Sequence, residues 1–169
     1  HTTGLLTLRE GDPVRLYCTE LVYEDLTTGY PVVNLLGYYG GVNWQEVTID
    51  GRGFRVPGVE DLTITAVPLA SDAPPYSPRR GQAQPGDNIG LRVEDSRTGG
   101  RLFYAPGLGE TGPKVEEEMA SADCVMVDGT FWRDDELEQA GVGTKRATEI
   151  GHLPQSGAGG MLEVLERAA

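Results

Sequence analysis

The chain has 169 residues, enough for one domain with a sizeable buried core. Its net charge of −12, from 14 basic against 26 acidic residues, repels phosphates and so argues against nonspecific binding to nucleic acid or to an anionic membrane. No apolar run approaches the ~18 residues a membrane span needs, while 24 glycines and 11 prolines foretell many turns and ordered loops.

In chain order, Thr2–Glu10 reads as a short helix with Leu5, Leu6 and Leu8 apolar, stopped by Gly11-Asp12-Pro13. Val14–Thr19 alternates as a strand does. Glu20–Thr28 is helical and stops at Gly29, and Tyr30–Gly41 mixes aromatic and small residues without a clear period. Two strands follow, Gln45–Ile49 and Leu62–Pro68, with a Gly-rich turn at Asp50–Gly53 between them. Ala70–Gly86 contains Pro74-Pro75-Tyr76-Ser77-Pro78-Arg79-Arg80, which cannot be a helix and reads as a long ordered loop. Asn88–Asp95 and Arg101–Ala105, joined through Thr98-Gly99-Gly100, form the clearest hairpin. Pro113–Ser121 is a helix with proline at its first position. Cys124–Val127 is a continuous apolar run, as in a strand covered on both faces. Gly159–Ala169 is an amphipathic helix carrying Met161, Leu162, Leu165 and Ala168. The expected class is α/β in a single domain, residues 1–169, with no internal repeat.

With two histidines in the chain, His1 and His152, a metal site or proton shuttle has few possible carriers. His1 reads as the end of a metal motif, as a copper ligand through imidazole and amine, or simply as the first residue of the stretch. Asp128 follows the Cys124–Val127 run, at the carboxyl end of a strand, where ligands bind in layered α/β folds; an Asp before glycine is also a common turn former. His152 precedes Gly157-Ala158-Gly159-Gly160, whose amides could serve an anion at a helix start or allow tight packing around a hydrogen-bonded histidine. Arg79-Arg80 and Lys145-Arg146 could receive substrate carboxylates or lie on the solvated surface. Glu116-Glu117-Glu118 reads as an exposed helix face. Cys18 and Cys124 lie far apart in apolar runs and read as buried free thiols of a cytosolic protein.

Seven stretches together resemble the coenzyme PQQ synthesis protein B family of the metallo-β-lactamase superfamily. They are HTTGLLTLREG (1–11), DLTTGYP (25–31), APPYSPRR (73–80), PGDNIGLRVED (85–95), LFYAPGLG (102–109), ADCVMVDGTFWRDDE (122–136) and GVGTKRATEIGHLPQSGAGGMLEVL (141–165). They occur in family order across the whole chain.

The resemblance implies an αβ/βα sandwich, and a chain that is a central piece of it. In the family a region with a structural zinc site precedes the equivalent of His1, and a strand bearing another metal-binding histidine follows the position of Ala169. It puts His1 on a metal-ligand position. Asp128 and His152 fall where related RNA-processing nucleases carry a cooperating acidic residue and histidine. The superfamily's metal-bridging aspartate would fall in Ala105-Pro106-Gly107, where no carboxylate stands, and the histidine expected near the Asn88 strand is lacking. That leaves a single metal site rather than a dizinc hydrolase centre.

The implied role is in making the quinone cofactor PQQ. The reaction would be hydroxylation of the tyrosine ring of a cross-linked Glu-Tyr precursor, using non-haem iron and dioxygen. The older alternative is a non-enzymatic carrier of PQQ or its precursor. In the hydroxylase reading, Asp128 and His152 would be groups just outside the metal's own ligands or acid–base groups near the ring hydroxyl. Arg79 and Arg80, by residue type, would hold substrate carboxylates, and Tyr76 would stack on the ring. A chain lacking the family's outer strands would leave a sheet edge and an apolar face open and invite homodimerisation.

Overall fold

The alternating run Val14–Cys18 forms β1, which pairs in parallel with β2 (Val42–Glu46), Val14 opposite Val42 and Cys18 opposite Glu46. Parallel neighbours need a crossover, here α1 (Glu20–Thr27) and α2 (Val32–Leu36). Thr19 caps α1 by accepting from the Val22 amide, and its own hydroxyl donates to the Gly86 carbonyl at 2.7 Å. Leu26, Val32, Val33 and Leu36 close a small core beneath these helices. The computed structural model describes residues 2–168.

The larger sheet has the order β3-β4-β5-β6-β7: β3 (Gly53–Phe54), β4 (Leu62–Pro68), β5 (Ile89–Asp95), β6 (Arg101–Ala105) and β7 (Cys124–Val127). Its first three pairings are antiparallel; β6–β7 is parallel, with α3 (Pro113–Ala120) as the crossover. The four-residue α4 (Glu136–Gln139) follows, then α5 (Met161–Ala168). One face of the sheet, through Val67, Phe103 and Ala105, packs with Val115 and Met119 of α3 and Met161 and Val164 of α5 into the main core. Phe103 is wholly buried, and removing a side chain of that size from water is worth about 1.5–3 kcal/mol. Tyr17 of β1 stacks on Phe54 of β3 at 5.4 Å and ties the two sheets together.

The strand Leu62–Pro68 and the β5–β6 hairpin match expectation, with Gly99 in the left-handed region at φ +76° and Asp95 holding the Arg97 amide and Thr98 hydroxyl across the turn. Other elements differ. The short helix expected over Thr2–Glu10 is a 3-10 helix and ends earlier, at Leu8. The strand expected at Gln45–Ile49 runs from Val42 to Glu46 instead, because register with β1 decides it. The helix Val32–Leu36 emerges from the aperiodic stretch, since three of its five residues enter the small core. Glu118 does not share the exposed face of its helix: it is buried and pairs with Arg92 of β5 and Lys114.

β7 is covered on one face only. Cys124 and Met126 lie on the same side as Leu102 and Tyr104 of β6, and Met126 is 53% exposed. Of the two free thiols, therefore, only Cys18 is buried. Burial pushes its thiol up to about 11, opposed only in part by the neighbouring Trp44 side chain. Thiolate is the reactive form, so DTNB should titrate one thiol quickly in the folded protein and the second only after denaturation. Cys124→Ser removes the fast phase; two fast equivalents would contradict this assignment.

Candidate functional site

At the carboxyl end of β7 the chain turns through Asp128-Gly129-Thr130. The Asp128 carboxylate is buried; one oxygen accepts from both the amide and the hydroxyl of Thr130. The other oxygen meets Nδ1 of His152 at 2.5 Å. Because a carboxylate only accepts, the tautomer with the proton on Nδ1 fits this contact, and Nε2 then has no hydrogen-bond partner among the described residues. The Phe131 ring meets the imidazole edge-on at 5.5 Å.

Backbone bonds hold the two partners in register although 24 residues separate them. The Gln155 and Ser156 amides donate to the Phe131 and Trp132 carbonyls, the Gln155 side chain reaches the Asp128 carbonyl, and the Leu153 amide donates to Leu108. The amides at the start of α5 are consumed likewise: Gly159 donates to the Glu163 carboxylate, Gly160 to Gly157, Met161 to Pro154 and Leu162 to Gln155. These bonds leave the amides of Gly159 through Leu162 no free donor for an anion, and Gly157 and Gly159 serve the turn through their positive φ of +97° and +73°.

His152 lines a cavity of about 380 Å³ together with Tyr76, Arg80, Asn88 and Gly107. The structure thus brings Tyr76, Arg80 and His152 to one space, with Asp128 directly behind the imidazole. Tyr76 packs against Tyr30 at 5.4 Å, and Arg80 is braced by Asp72 at 3.0 Å and by the Ala73 carbonyl.

Arg79 must be corrected. Its guanidinium is 11% exposed and is gripped by Asp87 at 2.8 Å, Asp25 at 2.8 Å, Glu24 at 2.6 Å and the Leu21 carbonyl. Burial opposes its charge, but the Asp87 hydrogen bond and the charges of Asp25, Asp87 and Glu24 outweigh this and raise its pKa above the ordinary arginine value. Four of its five N–H donors are committed to locking the Pro-rich loop onto α1, so its main work is structural rather than the holding of a substrate. Asp25 and Asp87, buried partners in this lock, had no local signal in the sequence; Thr130, two residues after an Asp before Gly, fits a recognisable Asx turn.

The loop entering His152 is capped by Asp134, whose carboxylate accepts from the Thr148 amide at 3.0 Å and hydroxyl at 2.9 Å and meets Arg146. The Thr148 amide bond, against a burial that pushes the other way, holds Asp134 below the usual carboxylate range. A depressed acid contributes its stabilisation above the unfolded-state value near 4, and loses it as pH falls through the lower folded value. Acidification below about pH 4 should therefore loosen residues 146–152, seen as faster amide exchange at Thr148 and His152. Asp134→Asn should show the loosened loop already at neutral pH; unchanged exchange in that variant would refute the role.

Among the described residues, no three His, Cys, Asp or Glu side chains converge in a way that could hold a metal ion. His1, the expected ligand, lies outside the described residues. No described helix is long and apolar enough to cross a membrane. A second cavity of about 690 Å³ adjoins the first, sharing Ser71, Asp72 and Gly151 as its wall.

The β-lactamase superfamily domain profile matches residues 1–169. Coenzyme PQQ synthesis protein B of Azotobacter vinelandii is 57% identical over 167 residues, and that of Pseudomonas savastanoi pv. phaseolicola 56%. The match covers 98% of this chain but 55% of each relative, so the chain spans about half the length of the curated relatives it matches. The crystal structure of Zn²⁺-bound PqqB from Methylobacterium extorquens superposes with a TM-score of 0.79 at 26% identity, over 96% of this chain and 53% of that one. The layered α/β fold, the whole-length profile match and this neighbour agree: the chain belongs to the β-lactamase superfamily, and curated relatives at 56–57% identity are named coenzyme PQQ synthesis protein B.

Proposed function

We propose that this chain supplies the precursor-binding and proton-handling part of a protein of PQQ biosynthesis that hydroxylates the tyrosine ring of a cross-linked Glu-Tyr precursor with non-haem iron and dioxygen. The observation that carries this reading is the Asp128–His152 pair at the wall of a cavity that also presents Arg80 and Tyr76. The names of the relatives supply the pathway. In this reading Arg80 binds a substrate carboxylate and Tyr76 lies against the aromatic ring. His152 Nε2 takes the proton of the ring hydroxyl, and Asp128 stabilises the imidazolium that results. Iron of this kind needs two histidines and a carboxylate with open positions. The described residues present no such set.

The test is oxygen consumption by the complete, iron-loaded protein with the cross-linked Glu-Tyr compound. Hydroxylated product in step with oxygen uptake is expected. Tight PQQ binding with no product would overturn the enzyme reading in favour of a carrier.

A further inference from the structure

The 690 Å³ cavity has Pro68, Leu69, Ala83 and Pro85 in its lining, and lies within the size range of small-molecule sites. Three of its lining residues are carboxylic acids, Asp72, Glu110 and Glu149, and none is Lys, Arg or His. Arg80 neutralises Asp72 from the side of the smaller cavity. Glu149 receives only the Arg146 amide, and the Glu110 carboxylate has no hydrogen bond or ion pair among the described residues. The lining therefore combines surplus negative charge with apolar surface, the complement of an organic cation.

Its wall is also thin. The Ser71 hydroxyl rests on the Gly151 carbonyl at 3.1 Å, and a Cβ on Gly151 would come within 2.7 Å of that oxygen. Gly151 directly precedes His152, so a ligand seated here reaches the imidazole's cavity across one residue's thickness.

We propose that this second cavity is a subsite for an ammonium-bearing, apolar segment of the molecule whose reacting part sits beside His152. The inference rests on the His152 cavity being the reaction site. It adds the charge of the ligand: a free amine is attracted and a polyanion repelled. Selection then works by opposition, with Arg80 on the carboxylate end in one cavity and Glu110 and Glu149 on the amine end in the other.

Three probes sharing one ring test this by NMR titration of the folded chain: tyramine, neutral 4-ethylphenol and anionic 3-(4-hydroxyphenyl)propionate. Tyramine should shift the amides of Ala70, Gly109, Glu110 and Gly151 and bind about fivefold tighter than either other probe, the scale of a few partly exposed ion pairs. The preference should shrink as salt is raised. Glu110→Gln and Glu149→Gln, both on exposed residues, should each reduce it, whereas His152→Ala should leave it intact. Equal or tighter binding of the anionic probe at these amides, or an unchanged ranking in both glutamine variants, overturns the subsite. Because this readout needs no turnover, an inactive protein that still prefers tyramine would refute the catalytic reading and leave the subsite standing.

Discussion

Asp128→Asn and His152→Ala should each lower the rate of precursor conversion by the complete protein by about 100-fold or more, the usual contribution of a positioned acid–base group. Asparagine keeps the shape of Asp128 and its Thr130 bonds, but its neutral amide stabilises an imidazolium far less and can turn an N–H toward Nδ1. The Nε2 tautomer is then no longer fixed. Precursor affinity should change only a few-fold, because Arg80 and Tyr76 remain. The measurement is steady-state kcat beside a direct binding titration. Full turnover in either variant would reduce the pair to a structural contact.

Arg79→Met should be the most destabilising single change in the Pro-rich loop, by about 3–5 kcal/mol, the cost of leaving a buried charge cluster without its partner. Asp25 and Asp87 are almost fully buried and would face each other with no cation between them. Urea unfolding gives the comparison directly. Adding Asp25→Asn and Asp87→Asn to the arginine variant should recover part of the loss, a coupling that a mere cavity would not produce. Arg80→Met should cost far less stability, since Arg80 is about one-third exposed; its effect should fall on ligand binding. A mild Arg79→Met would mean that the carboxylates find other partners.

What could be read from the sequence follows from how local each signal is. Strand β4 and the β5–β6 hairpin announce themselves through alternation and a Gly turn within a few residues. Asp128 and His152 were reachable because one ends an apolar run, the other is one of two histidines, and both lie in stretches shared with a known family. The same adjacency misled at Arg79-Arg80, where neighbouring arginines point to opposite employments: one into a lock with α1, the other into the cavity. No pattern near Arg79 marks Asp25, 54 residues away, as its partner. β7 was misjudged for a related reason. Four apolar residues in a row do not say whether a second layer covers them, and here Cys124 and Met126 face outward.

That distance along the chain has a kinetic side. The β4–β5–β6 meander joins sequence neighbours, so its hairpin closures cost little chain entropy and can form early. The site's fastenings span much longer loops: Arg79 to Asp25 across 54 residues, Thr19 to Gly86 across 67, Ser71 to Gly151 across 80. Such bonds are rewarded only after both partners' frameworks stand, which makes the cavities the last part to assemble and the first to open. Hydrogen exchange should accordingly find the amides of residues 72–87 released through small local openings, while those around Val67 and Phe103 wait for global unfolding. A pocket built this way can breathe to admit and discharge its ligand without disturbing the sheet that carries it.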